Sequence, residues 1–94
     1  MKYKKVDFKI VVGKQVKRLR LKASMTQDVL SERCGIFRTY LSRIETGSAN
    51  PTLLVMAALS ETLDVHISAL FDEGEEEATG NKRAPATAGR NTNQ

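Results

Sequence analysis

Helix caps, glycines and a proline divide residues 7–71 into five short segments whose apolar residues recur at helical spacing. In the first segment, steps of four, four and three separate the apolar residues Phe8, Val12, Val16 and Leu19. A strand over residues 8–12 is the alternative, but the apolar face continues at helical spacing beyond it. Three of the predicted helices begin after the caps Asp7, Thr26 and Thr52. The other two span residues 38–45 and 67–71. The sequence therefore predicts an all-α, compact five-helix domain.

Two glycines and one proline mark the predicted helix ends. Gly35 ends the second helix, and Gly47 can take the left-handed conformation that follows a helix. Pro51 pushes Asn50 out of the helical region. Gly13 differs from these, because it lies inside the first helix, where glycine costs about 1 kcal/mol relative to alanine.

The chain length allows one small packed domain. With 94 residues, a two-domain enzyme is excluded. Residues 72–94 have four alanines as their only hydrophobic side chains, so they are predicted to form a disordered tail. Residues 1–6 are predicted to be a flexible basic arm, which leaves residues 7–71 as the domain. A single cysteine and the lack of a long apolar run predict a cytoplasmic protein without a membrane span.

The positive charge is concentrated in the first half of the chain. Residues 1–50 carry 12 basic and four acidic side chains, a net charge of +8. Residues 51–71 and residues 72–94 each have a net charge of −2. This asymmetry favours a polyanionic partner, although a solvated basic face is the alternative.

The segment from Thr26 to Glu45 has the chemistry of a DNA-reading unit. Two helices of about eight residues flank a short glycine-containing turn, the helix-turn-helix arrangement in which the second helix enters the major groove. Helical spacing directs Leu41 and Ile44 into the core, with Tyr40 at the edge. The opposite face carries the hydrogen-bond donors Arg38, Thr39, Ser42 and Arg43. Arginine offers a planar fork that matches guanine O6 and N7, so DNA binding is the favoured interpretation and an ordinary polar helix surface the alternative.

At these positions the sequence resembles the Cro and lambda-repressor-like (XRE-type) family of helix-turn-helix transcriptional regulators. The resemblance extends over residues 10–71 and includes Gly13, Val16, Leu19-Arg20, Thr26-Gln27, Leu30, Tyr40 to Glu45, Gly47, Asn50-Pro51-Thr52, Leu59, Leu63, Val65 and Leu70-Phe71. The string from Arg38 to Ser42 most resembles the controller proteins of restriction-modification systems. This resemblance implies a repressor-type regulator from a prokaryotic, plasmid or phage context.

The resemblance also implies roles for individual residues. Gln27 lies against the DNA backbone and supports the start of the recognition helix. Base reading falls on Arg38, Thr39 and Tyr40, and contacts to the backbone or flanking bases on Ser42, Arg43 and Asn50. Arg20 and Glu45 form a structural ion pair. Phe37 departs from the family by replacing the usual Ser or Thr cap of the third helix, which puts the start of that helix in doubt.

Apolar residues beyond the needs of one small core predict self-association. The expected dimer surface comprises Leu63, Val65, Ile67, Leu70 and Phe71. Two copies would then place their recognition helices about 34 Å apart on a palindromic operator in double-stranded DNA. Leu54 and Val55 replace polar residues usual in the family, either as scattered surface hydrophobes or as a wider association surface.

A second class of function remains open, an antitoxin-like or adaptor module that binds another protein through the fourth helix or the tail. An enzyme is not expected. Cys34 falls at a core-facing position, and His66 falls at the cap of the last helix. These residues supply neither a nucleophile with its base nor a metal site, and no cofactor motif is present.

Overall fold

A computed structural model describes residues 5–73 of the chain and contains four α-helices and a 3-10 turn. The elements are α1 (Phe8–Lys22), α2 (Gln27–Cys34), α3 (Arg38–Glu45), α4 (Leu53–Thr62) and a terminal 3-10 turn (Ile67–Phe71). No strand occurs within these described residues, so the all-α prediction is confirmed, with the fifth helix formed as a 3-10 turn. The predicted arm and tail lie outside the described residues, apart from residues 5, 6, 72 and 73. Between residues 5 and 73, no helix is long and apolar enough to cross a membrane.

Three predicted caps form as hydrogen bonds. The side chain of Asp7 accepts from the Lys9 amide at 3.1 Å at the start of α1. The hydroxyls of Thr26 and Thr52 accept from amides three residues later, each at 3.1 Å. Each bond satisfies one of the amides that a helix start leaves without an intrahelical acceptor. The predicted starts of α1, α2 and α4 are thereby confirmed.

The start of α3 lacks such a cap. Phe37 occupies the cap position with its side chain 83% exposed and without a side-chain hydrogen bond to the helix. The helix nevertheless begins at Arg38, because α2 ends at Gly35 with φ of 74° and the chain then turns sharply. Gly47, with φ of 83°, ends α3 in the predicted left-handed conformation.

One apolar core joins all five elements. The fully buried side chains come from every helix and from the terminal turn: Val16, Leu30, Leu41, Ile44, Leu59 and Leu70. Helix α1 packs against α3 and the terminal turn, and α4 packs against α2 and the same turn. Because α3 contributes Leu41 and Ile44, its rotation about its own axis is fixed by the core.

Gly13 allows α1 and α3 to pack with their backbones in contact. A Cβ atom at this position would lie 2.3 Å from the carbonyl oxygen of Ile44 and 2.9 Å from that of Glu45. Such distances are too short for any side chain, so glycine is required here. The sequence predicts only the helix-weakening effect of Gly13, whereas the structure reveals that Gly13 sets the distance between α1 and α3.

The structure corrects the predicted dimer surface. Leu70 has no exposed surface and Leu63 is 8% exposed, because the terminal turn folds back onto α1 and α4. Both side chains belong to the core of the monomer, which leaves them almost no surface for contact with a partner. Val65 and Ile67 are half-buried and Phe71 is 38% exposed, so these three retain accessible surface.

Candidate DNA-binding surface

Helix α3 presents opposite chemistry on its two sides. Leu41 and Ile44 are fully buried, whereas Arg38, Thr39 and Arg43 are exposed. Tyr40 and Ser42 are half-buried at the boundary between these sides. Five of the seven predicted DNA contacts therefore lie on α3, three of them exposed and two at the boundary with the core.

A buried ion pair joins the end of α1 to the end of α3. Arg20 Nε donates to Glu45 Oε2 at 2.7 Å, and Arg20 Nη2 donates to Glu45 Oε1 at 3.0 Å. The Arg20 and Glu45 side chains are only 8% and 4% exposed. The third guanidinium nitrogen, Nη1, donates to the Met25 carbonyl at 2.9 Å in the turn before α2. The two predicted partners therefore meet in a fork-to-fork geometry that connects three elements of the fold.

Gln27 extends this ion pair toward the exposed face. Its Nε2 donates to Glu45 Oε1 at 3.0 Å. Because a carboxylate only accepts, the amide nitrogen must face Glu45, which turns the amide oxygen Oε1 toward Arg38. Arg38 Nη1 lies 3.5 Å from that oxygen, at the outer limit of a hydrogen bond.

Arg38 has a second partner on α2. Its Nε lies 3.3 Å from Asp28 Oδ1, with the Arg38 side chain 53% exposed and that of Asp28 80% exposed. The sequence places Asp28 in the first turn of α2 but does not reveal this pairing. The one sequence signal for Asp28 is its position directly after Gln27, a residue predicted to contact DNA.

The loop after α3 is held by the main chain of Arg43. The Arg43 carbonyl accepts from the amides of Ser48 and Ala49 at 2.9 and 3.1 Å, and from the Thr46 hydroxyl at 3.2 Å. These bonds anchor the start of the segment that leads to Asn50, which is exposed. The loop therefore leaves α3 in a defined direction, with Asn50 available at its surface.

Cys34 and His66 are the remaining candidate residues from the sequence. Cys34 is half-buried between α2 and α4, where its Sγ lies 3.3 Å from the Thr62 hydroxyl. His66 lies at the start of the terminal turn, with its side chain exposed and making no cap hydrogen bond. Among residues 5–73, no group of His, Cys, Asp or Glu side chains could hold a metal ion.

Sequence comparison relates the chain to known regulators. The helix-turn-helix family matches residues 16–70, more than half of the chain. Control protein C.MunI of a Mycoplasma species is 35% identical over 72 residues, which are 76% of this chain and 97% of that protein. The immunity repressor protein of Bacillus phage phi105 is 33% identical over 64 residues, 68% of this chain. The chain spans 44% of the length of that repressor.

Solved structures share the same fold. The restriction-modification controller protein C.AhdI from Aeromonas hydrophila matches with a TM-score of 0.65 at 27% identity, covering 67% of this chain and 96% of that one. The biofilm regulator SinR in complex with DNA matches with a TM-score of 0.62 at 31% identity, covering 65% of this chain and 98% of that one. The predicted resemblance to controller proteins is thereby confirmed.

Proposed function

Because the chain belongs to the XRE-type helix-turn-helix family of transcriptional regulators, we propose that it binds a palindromic DNA operator as a homodimer, with α3 in the major groove. The two-sided chemistry of α3 carries this proposal. Leu41 and Ile44 fix the backbone of α3 against the core, so Arg38, Thr39 and Arg43 extend outward from fixed positions. A site held in one geometry by a packed scaffold discriminates better than one on a mobile segment.

The exposed residues of α3 have the donors that base edges require. The Arg38 guanidinium matches the two acceptors of guanine, O6 and N7, and Thr39 can donate to a base edge or contact a thymine methyl group. Tyr40 lies half-buried beside them and completes the base-facing set. These three residues are proposed to read the sequence.

A second set of residues is proposed to position the domain on the duplex. Ser42 and Arg43 follow one helical turn after the base-reading residues, and Asn50 is exposed on the adjoining loop. Gln27 lies at the first position of α2, next to the start of α3. Contacts from such residues to phosphate oxygens fix the register without reading bases.

The dimer is proposed to form through the terminal turn and the exposed side of α4. Val65, Ile67 and Phe71 keep exposed surface there, while Leu53 and Leu54 of α4 are 66% and 80% exposed. Exposed leucines on a small domain favour association when they adjoin other apolar surface. A homodimer would place a second α3 helix about 34 Å away, one turn of the duplex.

Selection from a pool of random duplexes tests the function. We expect enrichment of a palindromic sequence whose half-sites are about 10 base pairs apart, with affinity that decreases steeply as salt increases. Enrichment of sequences without twofold symmetry would contradict the homodimer, and no enrichment would contradict sequence-specific binding.

Sedimentation of a Leu54→Lys variant tests the association surface. We expect the variant to dissociate into monomers at concentrations where the wild type is dimeric, because a buried lysine charge opposes association. Leu21→Lys is the control, since Leu21 is also 56% exposed but lies on α1. If wild type is monomeric and still binds DNA, the exposed leucines of α4 instead suit a second protein, as in an antitoxin-like module.

A further inference from the structure

We propose that Asp28 is a specificity-determining residue, whose carboxylate restrains the Arg38 guanidinium so that it favours bases over phosphates. This role rests on the proposed function, in which Arg38 reads a base edge. Asp28 itself has no expected contact with DNA bases, so it acts as a positioning residue through Arg38.

Two acceptors on the first turn of α2 lie close to the Arg38 guanidinium. Asp28 Oδ1 lies 3.3 Å from Nε, and Gln27 Oε1 lies 3.5 Å from Nη1. Gln27 is itself held by Glu45, whose side chain is 4% exposed and pairs with Arg20. Gln27 therefore connects Arg38 to the buried ion pair, and the exposed Asp28 provides the second acceptor near the guanidinium.

The pairing leaves a particular edge of Arg38 available. A guanidinium has five N–H donors in a fixed plane, and Nε provides only one of them. Asp28 Oδ1 lies near Nε in this ion pair, and Gln27 Oε1 takes one N–H of Nη1. The terminal edge therefore keeps the other N–H of Nη1 and both N–H groups of Nη2 as donors for an incoming acceptor. This edge can donate to O6 and N7 of guanine, the two-acceptor pattern that arginine recognises in the major groove.

A neutral base and a charged phosphate differ in whether they displace Asp28 from Arg38. Guanine can accept from the terminal edge while Nε stays with the carboxylate. A phosphate that takes the Nε edge must displace Asp28 and leaves one anion facing another, which is unfavourable. Asp28 is 80% exposed, so no other part of the fold shields its charge from the duplex. The carboxylate therefore weakens binding to phosphates alone more than it weakens binding to the preferred bases.

The experiment measures affinity for two duplexes with one protein. The probes are the duplex most enriched by the wild type from a random pool and a random-sequence duplex of equal length. For Asp28→Asn we expect the ratio of the two affinities to decrease about two- to fivefold, the range of an exposed ion pair, mainly through tighter binding of the random duplex. Because both affinities come from the same folded protein, a change in its stability cancels in the ratio.

Two variants separate this role from a general change in charge. Asp64→Asn removes the same charge from an exposed turn after α4, where φ is 60°, a conformation that asparagine also adopts. Asp64→Asn should change both affinities alike and leave the ratio intact. Asp28→Glu keeps the carboxylate and should restore most of the wild-type ratio.

A spectroscopic measurement tests the restraint in the absence of DNA. In the wild type, NMR relaxation should show restricted motion of the Arg38 Nε–H bond, and Asp28→Asn should increase that motion. A wild-type ratio retained in Asp28→Asn would overturn this role of Asp28 alone. A wild type that binds every duplex equally would overturn the proposed function and this role with it.

Discussion

Replacing Gly13 by alanine should destabilise the domain, although alanine is the better residue for a helix interior. Gly13 lies in the middle of α1, where alanine is favoured by about 1 kcal/mol on helix propensity alone. In the folded chain, however, the added methyl group would meet the backbone of α3. The carbonyl oxygen of Ile44 would be 2.3 Å from the new carbon, and that of Glu45 2.9 Å. The structure thus predicts the opposite sign from the sequence.

The size of the effect follows from these distances. Carbon and carbonyl oxygen atoms approach to about 3.3 Å in favourable contacts, so α1 and α3 would have to separate by about 1 Å. Both contacted atoms belong to the backbone and cannot rotate away. Overpacking of this kind costs about 1–3 kcal/mol, and rigid neighbours favour the upper value. Offset by the gain in propensity, the net loss is about 2 kcal/mol, or about 8–16 °C in Tm for a domain of this size.

Urea and thermal unfolding followed by circular dichroism measure this loss. Lys17→Ala is the matched control, because Lys17 is exposed on the same helix and should change stability by less than about 0.5 kcal/mol. A Gly13→Ala variant as stable as the wild type would refute the inferred contact between the two backbones. Residues other than Gly13 would then have to set the distance between α1 and α3.

Three further substitutions test the framework of the site, each by urea unfolding. Glu45→Gln should cost about 3–5 kcal/mol, because three N–H donors converge on a buried carboxylate and an amide has only one acceptor; a variant as stable as the wild type would contradict the role of the pair. Thr52→Ala should cost about 1 kcal/mol by removing the cap of α4, and Thr52→Ser, which keeps the hydroxyl, should lose less. Gly35→Ala should cost about 1–2 kcal/mol through its positive φ alone, since no atom would crowd the new methyl group. An unchanged stability for Gly35→Ala would mean that the turn adopts another conformation.

The helix boundaries were predictable because caps are local chemistry. The Thr26 hydroxyl reaches an amide only three residues away, and the glycines at positions 35 and 47 relieve strain at their own backbone. Helix α3 has such a signal only at its end, in Gly47, because Phe37 provides no side-chain cap at its start. These interactions need no knowledge of the rest of the chain, so sequence spacing alone identifies them.

Contacts between distant segments were not predictable in the same way. Gly13 and Ile44 meet only because α1 crosses α3, and nothing in the spacing of either helix indicates how closely. Leu70 is apolar in the sequence whether it belongs to a core or to an interface, and packing of the terminal turn against α1 and α4 determines which. The pairing of Asp28 with Arg38 likewise depends on the rotation of α2 relative to α3.

The resemblance to a family predicted the ion pair between Arg20 and Glu45, whereas only the structure shows which groups surround it. The carboxylate of Glu45 accepts from Gln27 as well, so the stabilising pair and the proposed DNA-facing residue share one carboxylate. Sequence spacing gave no indication of this shared acceptor, because it requires three segments to meet at one point.

Binding of wild type and Arg38→Ala to the selected duplex and to random DNA tests the central claim most directly. If Arg38 reads a base, the variant should lose about 1–3 kcal/mol on the selected duplex and much less on random DNA. Selection repeated with Arg38→Ala should then lose its preference at one position in each half-site. Equal losses on both duplexes would show that Arg38 contacts only the DNA backbone. That result would contradict the claim that α3 reads bases through Arg38.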